Sequence, residues 1–296
     1  MSSYQIFTDS SCDLTSEMRR THGIEYFFMG INVDEKVYPA DLDFKEYTPD
    51  QLYSWIENPS VSIKTALVTV GEFIEKMEPL LENGIDILYI ACTSVLSGTI
   101  GVFRLAKEQL APKYPSRRME VVDSCRAGMA LGLMVMDCAD KAKEGASIDD
   151  LLAYIESNKL NYNLCGTVTT LSYLKAAGRV SDTSAFFGNL FGIKPVIIVD
   201  ALGHNCAVSK TKGLLNAYKA LFEFVKETVE GQENPVIYLG QGKNQDGFAY
   251  LKERFENELH AKVVDYWVGP IIGISCGPGV IHVACYGKVA DIPIGK

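Results

Sequence analysis

DILYIACTSVLSGTIGVFRLAKEQL, residues Asp86 to Leu110, is the stretch from which the fold can be read. Ile87 to Cys92 is an apolar run of strand length. Ile100, Phe103, Leu105, Ala106 and Leu110 recur at helical spacing. Between them lies the hydroxyl-rich turn Thr93-Ser94-Val95-Leu96-Ser97-Gly98-Thr99. A helix start carries unpaired N–H groups and partial positive charge, which suits an anion. Hydroxyls placed there could hold a carboxylate or phosphate without a salt bridge. The same residues could instead simply cap the helix.

Two neighbouring stretches repeat this layout. Tyr4 to Phe7 reads as a strand running into Thr8-Asp9-Ser10-Ser11-Cys12-Asp13, with a helix from Thr15 to Gly23. Met119 to Val122 is a strand, Asp123-Ser124 a turn, and Ala127 to Lys143 a helix whose methionines suit a packed core. Three strand-to-helix units predict an α/β fold with a mostly parallel sheet and helices on both faces. Ligands of such sheets lie outside the carboxyl ends of the strands. Ser10, Ser94, Ser97 and Ser124 are therefore expected on one edge.

Between the first two units, Phe27 to Asn32 reads as a strand and Val33 to Asp43 as a small hairpin excursion. Thr65 to Thr69 follows as a strand, with Val70 to Leu81 helical after it. Beyond Leu160 the texture changes. Strands are predicted near 164–171, 194–199, 236–240, 261–266 and 280–286, with helices over 183–192, 212–230 and 246–258. The expected division is 1–160 as an N-terminal α/β domain, with the hairpin near 33–43, and 161–296 as a second α/β domain with a mixed sheet.

The bulk numbers narrow the class. The chain has 296 residues, 47% of them hydrophobic and 22% charged, enough to bury a core. A net charge of -9 argues against a nucleic-acid partner. No run of 18 apolar residues predicts an integral membrane segment. The N-terminus shows no signal peptide pattern, and the 8 cysteines form no Cys-x-x-Cys pair, so reduced thiols in a cytoplasmic protein are expected. Zinc ligand spacing is missing, so no metal is expected. Neither Gly-x-Gly-x-x-Gly, a Walker loop nor Gly-x-Ser-x-Gly occurs, so no cofactor is expected.

His22, His204 and His260 read as surface or turn residues, and His282, inside an apolar strand, as a satisfied core histidine. Arg179, in a tight turn, could close on an anion or be an ordinary surface arginine. Phe186, Phe187, Leu190 and Phe191 could line a pocket or belong to the core. The Gly-Pro pairs near the C-terminus suggest backbone held close to a neighbour. An enzyme acting on a small phosphorylated or carboxylated metabolite stays open as an alternative.

An ordered set of motifs resembles the DegV family along the whole chain. It comprises Thr8-Asp9-Ser10-Ser11-Cys12-Asp13-Leu14, Thr93-Ser94-x-Leu96-Ser97-Gly98-Thr99 and Asp123-Ser124. Gly178-Arg179-Val180-Ser181, Lys194-Pro195 and Gly269-Pro270-x-x-Gly273-x-x-x-Gly277-Pro278-Gly279 complete it. The resemblance implies a bacterial fatty-acid-binding protein that is not an enzyme. It further implies two domains, the acyl chain in an apolar tunnel between them, and a carboxylate presented to a separate fatty acid kinase. It places the carboxylate at Thr65, Ser94 and Ser97, with Ser10 and Ser124 in support and Arg179 near the mouth. Thr65 is followed here by Ala66-Leu67-Val68, Ser275 stands where a histidine is common, and the basic stretch reads Ser209-Lys210-Thr211-Lys212.

Overall fold

The computed structural model describes residues 4–180 and 192–290. The helix expected over 183–192 and the Phe186, Phe187, Leu190 and Phe191 cluster therefore fall outside the described residues, apart from Gly192.

Four strands form a parallel sheet in the order β2-β1-β6-β7: β1 (Tyr4–Asp9), β2 (Glu25–Phe27), β6 (Asp86–Ala91) and β7 (Met119–Asp123). Every strand after the edge strand β2 is one of the three units read from sequence. The expected strand over 27–32 is divided. Its start is β2, and its end is β3 (Gly30–Val33), which leaves for another sheet. There β3 pairs antiparallel with β4 (Lys36–Pro39) and with β5 (Ile63–Ala66). The hairpin excursion thus supplies β4 to a three-stranded sheet, with β3 from the expected 27–32 strand and the strand carrying Thr65 as its other members.

A six-stranded mixed sheet follows, in the order β10-β9-β8-β13-β11-β12. Its strands are β8 (Tyr162–Thr167), β9 (Ile193–Val199), β10 (Asn205–Lys212), β11 (Val236–Gln241), β12 (Lys262–Trp267) and β13 (Ile281–Tyr286). Only β11 and β12 pair in parallel among these. The sequence reading passed over β10, an edge strand of mostly half-exposed side chains without a buried face. It also read Gly269 to Gly279 as a plain connection. Pro270–Cys276 is a short helix, begun by proline at its first turn.

Side-chain alternation assigns the layers. Leu88 and Ile90 of β6 join one core, while Ile87, Tyr89 and Ala91 join another with Phe73 and Phe103. Phe73 and Phe103 come from the helices Val70–Glu82 and Thr99–Leu110, so these cover one face of the parallel sheet. The helix Gly128–Lys143 covers the opposite face, and its far side packs on Leu164, Val199 and Ala284 of the mixed sheet. The other face of the mixed sheet is closed by Leu214–Thr228 and Gln245–Glu258, through Phe222 and Phe255. One helix is shared by both sheets, so it must be apolar nearly all round. Twelve of its sixteen residues are buried, including all three methionines. Among the described residues no helix is long and apolar enough to cross a membrane.

Gly132 shows how tightly this layer is packed: a Cβ there would stand 2.6 Å from the Cys12 carbonyl oxygen. Alanine favours helix by about 1 kcal/mol over glycine, yet that backbone oxygen cannot swing aside. Gly132→Ala should therefore destabilise the protein by about 1–3 kcal/mol in chemical denaturation. A variant at least as stable as the wild type would contradict this packing.

Candidate functional site

Four segments meet at the turn between β6 and the helix Thr99–Leu110. The turn itself is fixed by the Thr93 carbonyl, which accepts N–H bonds from Leu96 and Ser97, both at 3.1 Å. That winding buries Ser97 and leaves Ser94 exposed, where its N–H donates to Asp123 Oδ2 at 3.2 Å. Ser97 Oγ lies 2.8 Å from Thr99 Oγ1. Gly98 is the N-cap and brings no side-chain cap; Ser97 Oγ accepts the Thr99 N–H at 3.4 Å, so the capping reading holds in part. From β5 comes Leu67, whose Cδ1 is 3.3 Å from where a Cβ on Gly98 would stand, so Thr65 and its neighbours lie across the turn.

The third segment follows the helix Ser172–Ala177, which ends on Gly178 at φ +66, a conformation glycine adopts without strain. Arg179 is thereby thrown toward the turn, and its Nε donates to the Leu96 carbonyl at 3.4 Å. The fourth is the helix Pro270–Cys276, on which Ser275 Oγ donates to the Ile271 carbonyl at 3.1 Å. Its first turn is anchored on Asp13, whose Oδ1 accepts the Gly269 N–H at 3.0 Å.

These segments enclose a cavity of about 210 Å³. That is more than ten times the roughly 15 Å³ that a single water needs. Thr65, Ser97, Arg179 and Ser275 line it, so four of the sequence-nominated residues share one wall system. Arg179 is the only formally charged side chain among the described residues lining it, and it is exposed, which puts it at the mouth. Deeper in, the walls are apolar: Leu164, Val168, Leu174, Ile197, Val199 and Ile271.

The other nominated serines are engaged elsewhere. Ser10 Oγ donates to the Phe27 carbonyl at 3.2 Å and accepts the Met29 N–H at 3.0 Å, tying the end of β1 to the β2–β3 crossing. Ser124 Oγ donates to the Arg126 carbonyl and accepts its N–H, closing a tight turn. Both are fully buried and neither lines the cavity. Asp9 braces the same edge, accepting from Ser11 Oγ at 2.5 Å and from the Tyr89 hydroxyl at 2.7 Å.

Sequence reasoning missed two buried groups beside the cavity. His282 lines it, yet its Nδ1 has no hydrogen-bond partner among the described residues, so it is not the satisfied core histidine expected. Asp13 Oδ2 is likewise unpartnered. The apolar strand around His282 hid it, and nothing local to Asp13 marks its burial against Gly269. Burial pulls His282 down to about 4 and pushes Asp13 up to about 8, the latter opposed in part by the Gly269 N–H.

Those opposite shifts make stability depend on pH in a defined way. Between about 4 and the ordinary histidine value of 6.5, folding takes up a proton at Asp13 and releases one at His282, so the two effects cancel. Above 6.5 only Asp13 binds more protons in the folded state, so stability should fall as pH rises to about 8. Urea midpoints should therefore be lower at pH 8 than at pH 6.5 in the wild type, and Asp13→Asn should remove the fall. Equal wild-type midpoints at the two values would contradict the assignment.

Comparison with known proteins places the chain. A family model described as "Uncharacterised protein, DegV family" matches residues 3–288. A DegV domain-containing protein of Clostridium perfringens is 32% identical over 293 residues, spanning 98% of this chain and 100% of the relative. Among solved structures, a fatty-acid-binding DegV family protein from Thermus thermophilus superposes with a TM-score of 0.85 at 24% identity, covering 97% of this chain and 100% of that one. The Streptococcus pneumoniae fatty acid kinase B3 protein loaded with linoleic acid superposes with a TM-score of 0.80 at 19% identity, covering 97% and 100%. With its motifs and a family match over nearly its full length, the chain belongs to the DegV family.

Proposed function

We propose that the chain binds a long-chain fatty acid, with the carboxylate at the hydroxyl-lined rim and the tail in the apolar cavity between the sheets. The observation that carries this reading is the cavity's division into two chemistries. Ser97, Thr65 and Ser275 line it together with an exposed Arg179, while most of its buried lining, Leu164, Val168, Leu174, Val199 and Ile271 among it, is aliphatic. Each buried CH2 contributes about 0.8 kcal/mol, so a dozen or more methylenes give retention through purification. A carboxylate is costly to bury unless hydrogen bonds surround it. Hydroxyls and one peripheral guanidinium meet that need while leaving the headgroup reachable.

A reachable headgroup suits a carrier that presents its ligand to a separate enzyme, and the similarity to a fatty acid kinase B3 protein supports a kinase as that partner. We assign the chain no reaction of its own. The division of labour follows the sheets, with the parallel sheet and its hydroxyl turn up to about residue 160 and the mixed sheet beyond it. Cytoplasmic residence fits the free cysteines of the described residues.

Organic extraction of the purified protein followed by mass spectrometry should yield a stoichiometric fatty acid. A polar phosphorylated or carboxylated metabolite in its place would favour an enzyme at the same cavity. Ser97→Ala should weaken binding of a fluorescent fatty acid by about 1.5–3 kcal/mol, roughly a ten- to hundredfold rise in Kd. An unchanged Kd would remove Ser97 from the site.

A further inference from the structure

The turn that carries Ser97 is gripped by the mixed sheet. Thr93, whose carbonyl winds that turn, is fully buried. Its own N–H donates to the Arg126 carbonyl at 2.9 Å, and Ser124 Oγ donates to the same carbonyl at 3.1 Å. The turn between β9 and β10 also reaches Thr93. There Asp200 Oδ1 accepts the N–H groups of Leu202 and His204, each at 2.9 Å. Gly203 between them takes φ +89, which glycine adopts freely. A Cβ on Gly203 would overlap Thr93 Oγ1, so the two turns touch.

Arg126 locks these pieces together. Its Nη1 donates to the carbonyls of Cys125 at 2.8 Å and Asp200 at 2.9 Å. Its Nε donates to the Lys159 carbonyl at 2.8 Å, just past the helix Ile148–Asn158. Arg126 is 3% exposed, and every partner of its guanidinium among the described residues is a backbone carbonyl. Arg19, also buried, pairs instead with Asp43. A buried cation without a counter-charge is costly. What the planar fork supplies in return is geometry, because its fixed donors hold several carbonyls at set angles. Those carbonyls join the turn after β7, the end of the first unit and the β9–β10 turn.

We infer that Arg126 is a positioning residue for the carboxylate site: acting through Thr93, it fixes the turn that places Ser97, with Gly203 as a second hold. This rests on the acyl-carrier reading and deepens it, since the headgroup site is then assembled by both sheets. Arg126 does not line the cavity, so its effect reaches the ligand only through the turn. A short turn has no core of its own, and its shape is set by what grips it. Hydrogen bonds weaken steeply with misalignment, so a loosened turn costs the headgroup its bonds. Much of the aliphatic lining, Leu164, Leu174 and Ile271 among it, lies on other segments and stays in place for the tail.

The test separates head from tail. Kd values for hexadecanoic acid and hexadecan-1-ol, which share the tail but not the charge, are measured by displacement of a fluorescent fatty acid from the purified protein. The wild type should prefer the acid about ten- to hundredfold, the worth of hydrogen bonds to a charged group. Arg126→Met should lower that preference about tenfold while leaving the Kd of the alcohol within about twofold. Arg126→Lys, which keeps the charge but not the fork, should lower it less. Gly203→Ala leaves Arg126 in place and should also lower it, which keeps the inference testable should Arg126→Met not fold. In a Ser97→Ala background neither substitution should lower the preference much further, because both act through Ser97. Three results would overturn the inference alone: acid and alcohol weakened equally, effects that add in full to Ser97→Ala, or a preference that survives in Arg126→Met (in Gly203→Ala if the former does not fold). A wild type that binds neither ligand, or both alike, would overturn the carboxylate-site reading and this inference with it.

Discussion

The burial of one helix between two sheets is the constraint on which this structure depends. Gly128–Lys143 exposes no residue from Gly128 to Met136, where its sequence is Met, Ala, Leu, Gly and Val, and its charged residues begin only at Asp137. Removing that surface from water drives the two sheets onto it. The cavity lies beside the start of this helix, where Ala127 lines it, while a Cβ on Gly128 would already press on Leu164 Cδ2 at 3.2 Å. The packing that joins the sheets thus runs up to the edge where the parallel strands stop.

That location explains why polar groups gather there without any strand being sacrificed. The carboxyl ends of parallel strands must turn back into helices, and turns are where hydroxyl and carboxylate side chains are useful. Some of those groups brace the edge itself: Asp9 ties β1 to β6, Ser10 ties β1 to the β2–β3 crossing, and Ser124 closes the turn after β7. Ser97 differs because it lines the cavity, its Oγ accepting the Thr99 N–H at 3.4 Å and lying 2.8 Å from Thr99 Oγ1. Edge-bracing and cavity-lining residues are thus of the same type on one edge, separated by which way each turn is wound.

Much of this was legible in the sequence, for physical reasons that also mark the limit. The three strand-to-helix units announce themselves because fully buried parallel strands are continuous apolar runs. The shared helix is visible for the same reason. β10 was not, since an edge strand whose side chains are nearly all half-exposed, apolar only at Cys206, Ala207 and Val208, is too short a signal to read. The separate three-stranded sheet was only half seen, because β5 pairs with β3 across an intervening strand and the helix Pro49–Glu57, a pairing that no local pattern encodes. At the site, composition nominated the serines but could not say which way each one faces. Ser10 and Ser124 carry the same hydroxyl as Ser97 and spend it on backbone. His282 was hidden because an imidazole in an apolar strand looks satisfied until its neighbours are known.

The central claim is that an acyl chain runs from the rim into the space between the mixed sheet and the shared helix. Isotope-filtered nuclear Overhauser spectroscopy with a fatty acid labelled at its terminal methyl tests it most directly. The account predicts contacts from that methyl to the side-chain methyls of Leu164 and Val199, deep in the cavity wall. Contacts confined to exposed side chains at the rim, such as Leu67 and Val95, would contradict it.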